Sequence, residues 1–460
     1  MFGVVVTLLA VVLLAYFVIK NYYPPVILLV LALVLLLIGA FMGNPPVSAK
    51  TATNFLGFDL AQAFTDLTKS RIGGLGLNIM AIGGFSFYMN KIGASTALVK
   101  LCVRPLSAIH SPYVLLGLTY VVGQCMALFI NSAVGLGLLL MASVYPLLVQ
   151  LGVRRAAAAA VIGSTCCLDL GPSSSNAMRA ADLVNTDVVT YFVTGQIPVA
   201  ICIIIAVAVG HALVQRWFDR REAAKGIKDD TSAVAGETKD AFADAGPAPA
   251  HYAILPILPL FLLIIFSPMV YNGIKLGLVT AIVVSILIAF LVDLVTRRAF
   301  KDVCKSFQAF FEGMGKVFTS TVSLIICAEL FAFGLTKIGG ISTMIQMAAA
   351  QQDVGLYLML FVMMGIMAIA TIVTGSGNSA FFAFSPLLPE AAASVGYNTM
   401  ALVVPVQLAA SLARPMSPIS GVIIAVSGIA GLTPIELIRR TIPVMVLGMV
   451  VNVIAAQIFL

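Results

Sequence analysis

An apolar chain that carries the same polar interruptions twice can fold in few ways. Lys91-Ile92-Gly93 recurs as Lys337-Ile338-Gly339, and Asn131-Ser132-Ala133 as Asn378-Ser379-Ala380. The break Gly171-Pro172-Ser173-Ser174-Ser175-Asn176 is answered by Arg414-Pro415-Met416-Ser417-Pro418, and Ile197-Pro198-Val199 by Ile442-Pro443-Val444. The spacing between partners stays between 243 and 247 residues. Matched polar breaks in two apolar halves are the sequence pointer to a secondary transporter, with its substrate site at the breaks.

Composition sets the solvent. The 460 residues are 61% apolar and 10% charged, where a soluble domain has about a quarter charged. Runs such as Val26–Met42, Ile197–Leu213 and Leu276–Val295 are long enough to span hydrocarbon or nearly so. The chain reads as an all-α integral membrane protein. Its net charge of +7 does not point to nucleic acid, because the basic residues gather at helix ends. No Lys or Arg precedes the first apolar run and no cleavage site follows it, so it reads as a retained helix and not as a signal peptide. No Cys/His spacing suits a metal, Cys166 and Cys167 read as buried thiols, and His110, His211 and His251 read as polar residues at membrane borders.

Residues 1–214 form a first repeat and 251–460 a second, joined by a charge-rich linker at 215–250. In the first, helices are expected near 2–20, 24–43, 71–90 and 191–213, with amphipathic pieces near 50–69 and 92–107. A hairpin over 111–150 is interrupted at Asn131-Ser132, and a broken helix spans 156–182. The second half repeats the plan as 252–270, 275–296, 300–315, 317–336, a hairpin over 355–395 interrupted at Thr374–Ser379, a broken helix over 398–430, and 440–459. With the linker placed in the cytoplasm, Lys50, Lys69, Arg71, Arg179, Lys275 and Lys337 fall outside and Arg414 within the membrane. The remaining 19 of the 26 basic residues fall inside, as the positive-inside rule requires. Five crossings per half then invert the second repeat and put both termini in the periplasm, giving about ten transmembrane helices plus two re-entrant hairpins. The interrupted segments read equally as two short crossings each.

The breaks carry the candidate chemistry. A helix restarting after Ser132 or Ser379 has free N–H groups and a positive dipole end, which suits a carboxylate. The alternative is a small-residue packing patch. At Asp169–Asn176 and Arg414–Ser420, Pro frees backbone carbonyls for a cation and restarted helices can face an anion, the alternative being a simple kink. Arg414 is the one basic residue that reads as deep in the membrane, suited to gripping a carboxylate or to pairing with Asp169. Asp169 reads as a proton site, a cation ligand or that partner, and Glu329 as a border or packing residue. Gly375-Ser376-Gly377 has no mid-membrane His and no HExxH beside it, which disfavours a hydrolase and the enzyme class generally.

With these residues in view, the chain resembles the DcuC family of anaerobic C4-dicarboxylate carriers over almost its whole length. The likeness is strongest at Asn131–Leu148, Thr374–Phe384 and Arg414–Val426, and also at His251–Pro259. It implies fumarate, succinate, malate or aspartate as substrate, moved by uptake, exchange or efflux across the bacterial inner membrane. The family belongs to the wider ion-transporter superfamily, whose members are homodimers with an elevator-type transport domain. The resemblance assigns substrate binding to Asn131, Ser132, Gly377, Asn378 and Ser379 at the hairpin tips. In the broken helices it assigns Pro172, Ser173, Ser174, Arg414, Ser417 and Pro418. The segment Leu168-Asp169-Leu170-Gly171 departs from the more apolar approach expected before the Pro, and makes Asp169 the candidate for a coupling Na⁺ or H⁺. No other cofactor is implied. Rival readings are a carrier for another organic anion, a cation/proton antiporter and a channel.

Overall fold

In hydrocarbon a chain must close its own backbone hydrogen bonds, and a helix does so within each segment. The computed structural model describes residues 2–20, 22–48, 51–109, 111–226, 249–267, 270–271, 273–339 and 355–460, and every regular element among them is helical. The first half runs α1 (Phe2–Ile19), α2 (Pro24–Phe41), α3 (Leu56–Arg71), α4 (Leu77–Lys91), α5 (Ala94–Val103), α6 (Pro112–Ala127), α7 (Ala133–Ser143) and α8 (Tyr145–Gln150). It continues with α9 (Arg155–Ser164), α10 (Ser175–Leu183), the single turn α11 (Val188–Thr190) and α12 (Ile197–Ala224). The second half runs α13 (Leu258–Ile265), α14 (Leu278–Arg297), α15 (Phe300–Val317), α16 (Ser323–Ile338), α17 (Gly355–Thr374) and α18 (Gly377–Phe384). It ends with α19 (Leu388–Ser394), α20 (Thr399–Leu412), α21 (Gly421–Ile429) and α22 (Pro434–Phe459).

Among the described residues, eight helical spans are long and apolar enough to cross a membrane, and shorter apolar helices accompany them. Their outer faces remain greasy: Val26, Val30 and Val34 on α2, and Ile201, Ile205, Val209 and Leu213 on α12, recur every four residues and are exposed. The chain is a multi-pass membrane protein. Helices from the two halves pack on one another, α2 with α16, α4 with α15 and α12 with α22. At the α4–α15 crossing Gly84 meets Gly313, where a Cβ on Gly313 would stand 2.9 Å from Gly84 Cα. Small residues there let two backbones approach. The innermost helices are the halves of the broken ones: Ala157–Ser164 in α9 and Ala401–Leu412 in α20 are buried on every side.

Several expectations are corrected. Helix α12 runs to Ala224, so the linker boundary at 215 falls inside a helix, while residues 227–248 of the linker lie outside the described residues. Asp219 and Glu222 on that extension face Arg440, which holds the helix together past the apolar run. The crossing expected at 252–270 is instead a 3₁₀ segment, Ala250–Ile257, and the eight-residue α13. Pro256 and Pro259 remove backbone donors and keep that stretch from winding as one helix. His211, expected as a polar residue at a membrane border, is fully buried, its ring nitrogen 2.7 Å from Ser164 Oγ. His110 lies outside the described residues.

Candidate functional site

The site is built where α9 stops. Between Ser164 and Ser175 the backbone unwinds, and its polar groups need partners that helix geometry no longer supplies. Three buried amides provide them. Gln124 on α6 donates to Leu168 O at 2.8 Å and accepts from Leu168 N at 3.2 Å. Gln196 accepts from Gly171 N at 2.9 Å and donates to Asp169 O at 3.1 Å. Gln407 on α20 donates to Asp169 O at 2.8 Å and is tied to Gln196 Nε2, also at 2.8 Å. A break in one half is thus braced by an amide from the other.

This bracing aims Asp169 at the break in the other half. Its Oδ2 accepts from Arg414 Nη2, from Asn176 Nδ2 at 2.8 Å and from Ser411 Oγ at 2.9 Å. Arg414 also donates to Cys166 O at 3.2 Å and to Asn378 Oδ1 at 3.3 Å. Every donor to the Asp169 carboxylate among the described residues falls on one oxygen, and Oδ1 has no protein partner there.

Asp169, Arg414 and Asn378 line a cavity of about 300 Å³ with Asn131, Ser132, Ser173 and Ser174. Two helix N-termini enter its wall. Ser132 caps α7, accepting from Gly135 N at 3.0 Å, and Ser174 caps α10, accepting from Ala177 N at 3.3 Å. Each presents the positive end of a helix dipole. The opposite wall comes from Ile79, Gly83, Ser86 and Asn90 of α4, with Val317 and Thr321 from the second half. The cavity is therefore polar on the side of the breaks and mixed on the side of α4.

The other candidate residues lie behind this surface. Pro172 borders a small adjoining cavity with Ser173 and Asn131. Gly377 is buried against α20, where a Cβ would come within 2.7 Å of Ala410 O. Ser417 Oγ donates to Ile372 O at 2.6 Å and ties the second break to α17, while Pro418 sits in the turn that follows. The helix expected to restart after Ser379 restarts at Gly377: Ser376 is the cap, and Ser379 donates to it from both N (3.2 Å) and Oγ (3.0 Å). Gly375 turns the chain there with φ +71, a conformation a Cβ strains. The N-terminus of α21, at Ser420, does not reach the cavity wall.

Sequence reading missed the three glutamines and Ser411. A lone amide inside an apolar helix was the available signal, since a polar group at that depth needs a named partner. It also missed that Arg414 is not the lone buried cation. Arg179 and Arg440 are 3% and 2% exposed. Glu329, expected as a border or packing residue, is buried in packing; Arg71 Nε contacts it, and Arg179 Nη1 lies 2.6 Å from its Oε1.

Two solved structures share this architecture at low identity. MtrF of Neisseria gonorrhoeae, described as illuminating a class of antimetabolite efflux pumps, matches with TM-score 0.61 and 16% identity over 95% of both chains. The YdaH transporter of Alcanivorax borkumensis matches with TM-score 0.62 and 17% identity over 95% of this chain and 98% of its own. Such likeness speaks for the fold alone. Sequence relatives are nearer. The probable anaerobic C4-dicarboxylate transporter DcuC of Vibrio cholerae is 37% identical over 393 residues, covering 85% of this chain and 83% of the relative. The anaerobic C4-dicarboxylate transporter DcuC of Escherichia coli K12 is 35% identical over 423 residues, 92% and 89% of the two chains. The profile of the DcuC family, the C4-dicarboxylate anaerobic carriers, matches residues 2–459, and the chain belongs to that family.

Proposed function

We propose that the chain is a secondary carrier of C4-dicarboxylates across the bacterial inner membrane, and that Asp169 is its coupling site. The observation that carries the reading is the Arg414–Asp169 pair in a cavity capped by two helix N-termini. Charge decides how such a site works. Arg414 and Asp169 cancel, and two helix ends supply roughly half a charge each, about +1 in all. A dianion needs more. Neutralising Asp169 with a proton or Na⁺ at its open Oδ1 leaves Arg414 and the helix ends, about +2, and frees Nη2 to grip a substrate carboxylate. Asn378, already bonded to that guanidinium, and Asn131 across the cavity then orient the substrate. A cell interior at negative potential opposes dianion uptake by about 2.3 kcal/mol per charge per 100 mV. Coupling or exchange is therefore required for uptake, whereas the same potential helps efflux.

The inverted-repeat reading is supported by the matched helix starts. Ser132 and Ser376 cap α7 and α18, and Ser174 and Ser420 precede α10 and α21. Short π-helical segments, Ile72–Gly76 and Phe318–Val322, follow α3 and α15 at the same offset. In this reading the hairpins and broken helices move as one body against the rest, in a homodimer with both termini periplasmic and the linker cytoplasmic.

The test is counterflow of labelled succinate in proteoliposomes preloaded with fumarate, and net uptake driven by an ion gradient. Wild-type protein should show both. Asp169→Asn should keep exchange and lose the ion dependence of uptake. An Asp169→Asn protein whose uptake follows the ion gradient as wild type does would remove Asp169 from coupling. Wild-type protein without succinate counterflow would overturn the substrate assignment.

A further inference from the structure

A second charged cavity, of about 380 Å³, lies where the end of α12 meets the starts of α9 and α22. Arg154, Arg155, Arg221, Lys225, Arg439 and Arg440 line it against only Glu222 and Glu436. Both acids are committed. Glu222 Oε2 lies 2.6 Å from Arg440 Nη2 and 3.2 Å from Arg154 Nη1. Glu436 closes a capping box, accepting from Thr433 N and Oγ1 at 2.8 Å each. Buried Arg440 is matched again by Asp219 Oδ1 at 2.7 Å. Among the described residues no ion pair engages Arg221, Lys225 or Arg439, so the cavity carries excess positive charge with exposed cations at its mouth.

The surface beside those cations is apolar and follows helix spacing. On α12, Arg221, Trp217 and Leu213 stand four residues apart and share one face, and Lys225 follows as the C-cap. Trp217 and Leu213 are exposed, and the Arg221 guanidinium lies 5.1 Å from the Trp217 ring. On α22, Arg439 shares a face with Val446 and Val450, also exposed. On both helices the cations stand at the end and the apolar stripe runs away from them into an apolar span. An exposed Trp at such a boundary is the ordinary interfacial anchor.

We propose that this cavity holds the headgroup of an anionic phospholipid. Its phosphodiester lies among Arg221, Lys225 and Arg439, and its acyl chains run along the Trp217–Leu213 and Val446–Val450 faces. Basic pockets between membrane helices take such headgroups by charge. A soluble anion can use the cations but has no use for the apolar stripes. The placement in the linker-side leaflet rests on the orientation proposed above. Within the cavity wall, Arg155 begins α9 and donates to Ala430 O, just past the end of α21, at 3.4 Å.

The test measures Tm of the purified protein in detergent with added phosphatidylglycerol, phosphatidylcholine, inorganic phosphate or succinate. Phosphatidylglycerol should raise Tm by about 3–5 °C and phosphatidylcholine should not, as expected for a ligand bound by the folded state alone. The rise should disappear in Arg221→Gln/Lys225→Gln/Arg439→Gln. These side chains are exposed, so the variant should keep its Tm in phosphatidylcholine; if it does not, Arg439→Gln alone should halve the rise. A rise as large with phosphate, a rise with succinate that the substitutions abolish, or a phosphatidylglycerol rise that survives them overturns the proposal. The readout needs no substrate, so failed succinate counterflow leaves it standing.

Discussion

Two of the arginine–carboxylate centres inside this protein, those at Arg179 and Arg414, are built to opposite ends. Around Arg179, two cations meet two anions. Arg179 Nη1 lies 2.6 Å from Glu329 and 2.8 Å from Asp182, and Arg71 reaches both acids. The charges balance, and the four residues bolt α10 to α3 and α16. Around Arg414 one cation meets one anion, an Asp169 oxygen is left open, and two helix N-termini add positive potential to the cavity. Burying charge is costly in either place. The first centre offsets that cost internally and presents no net charge to a ligand. The second is left short of one negative partner, which is what an anion site requires. Burial of an arginine therefore does not mark a binding site; an incomplete set of partners does.

The comparison can be broken most sharply at Arg414. Arg414→Lys keeps the charge and loses the planar fork, and should cut succinate counterflow on the order of 100-fold with little change in Tm. A variant that transports at the wild-type rate would make the pair structural, like that at Arg179. Glu329→Gln should do the reverse. It strands the buried Arg179 with Asp182 alone and should lower stability by about 3–5 kcal/mol, read as a fall in Tm. The KM of whatever protein folds should stay near wild type, and a selective rise in KM would show that this cluster also serves substrate. The smallest effect compares two helix starts. Ser376 accepts a capping bond from Ser379 N, whereas Ser420 makes no side-chain cap. Ser376→Ala should therefore cost about 1 kcal/mol and Ser420→Ala much less. Equal costs would mean that the cap does not support the hairpin tip.

Much of the machinery was legible as pattern. Asn131-Ser132, Asp169, Ser173-Ser174, Asn378 and Arg414 are polar residues at interruptions of apolar runs, and they are the residues that share the cavity. Hydrocarbon tolerates an unwound backbone only where it is shielded, so each interruption announces itself. Gly377, Ser379 and Ser417 stood in the same interruptions, yet their atoms serve turns and packing. Position along a chain does not tell which side of a turn faces a cavity.

The residue pattern alone established the membrane environment, the doubling and the places where helices break, because all three follow from local polarity measured against a uniform apolar solvent. Partnership was decided by packing. Nothing in a linear order brings Gln407 to the carbonyl of Asp169 across 238 positions, sets Arg179 against Glu329, or turns His211 inward to Ser164. Those contacts depend on how two halves of one chain lie against each other. The charge balance of each buried centre, and with it the difference between a bolt and a binding site, exists only once they do.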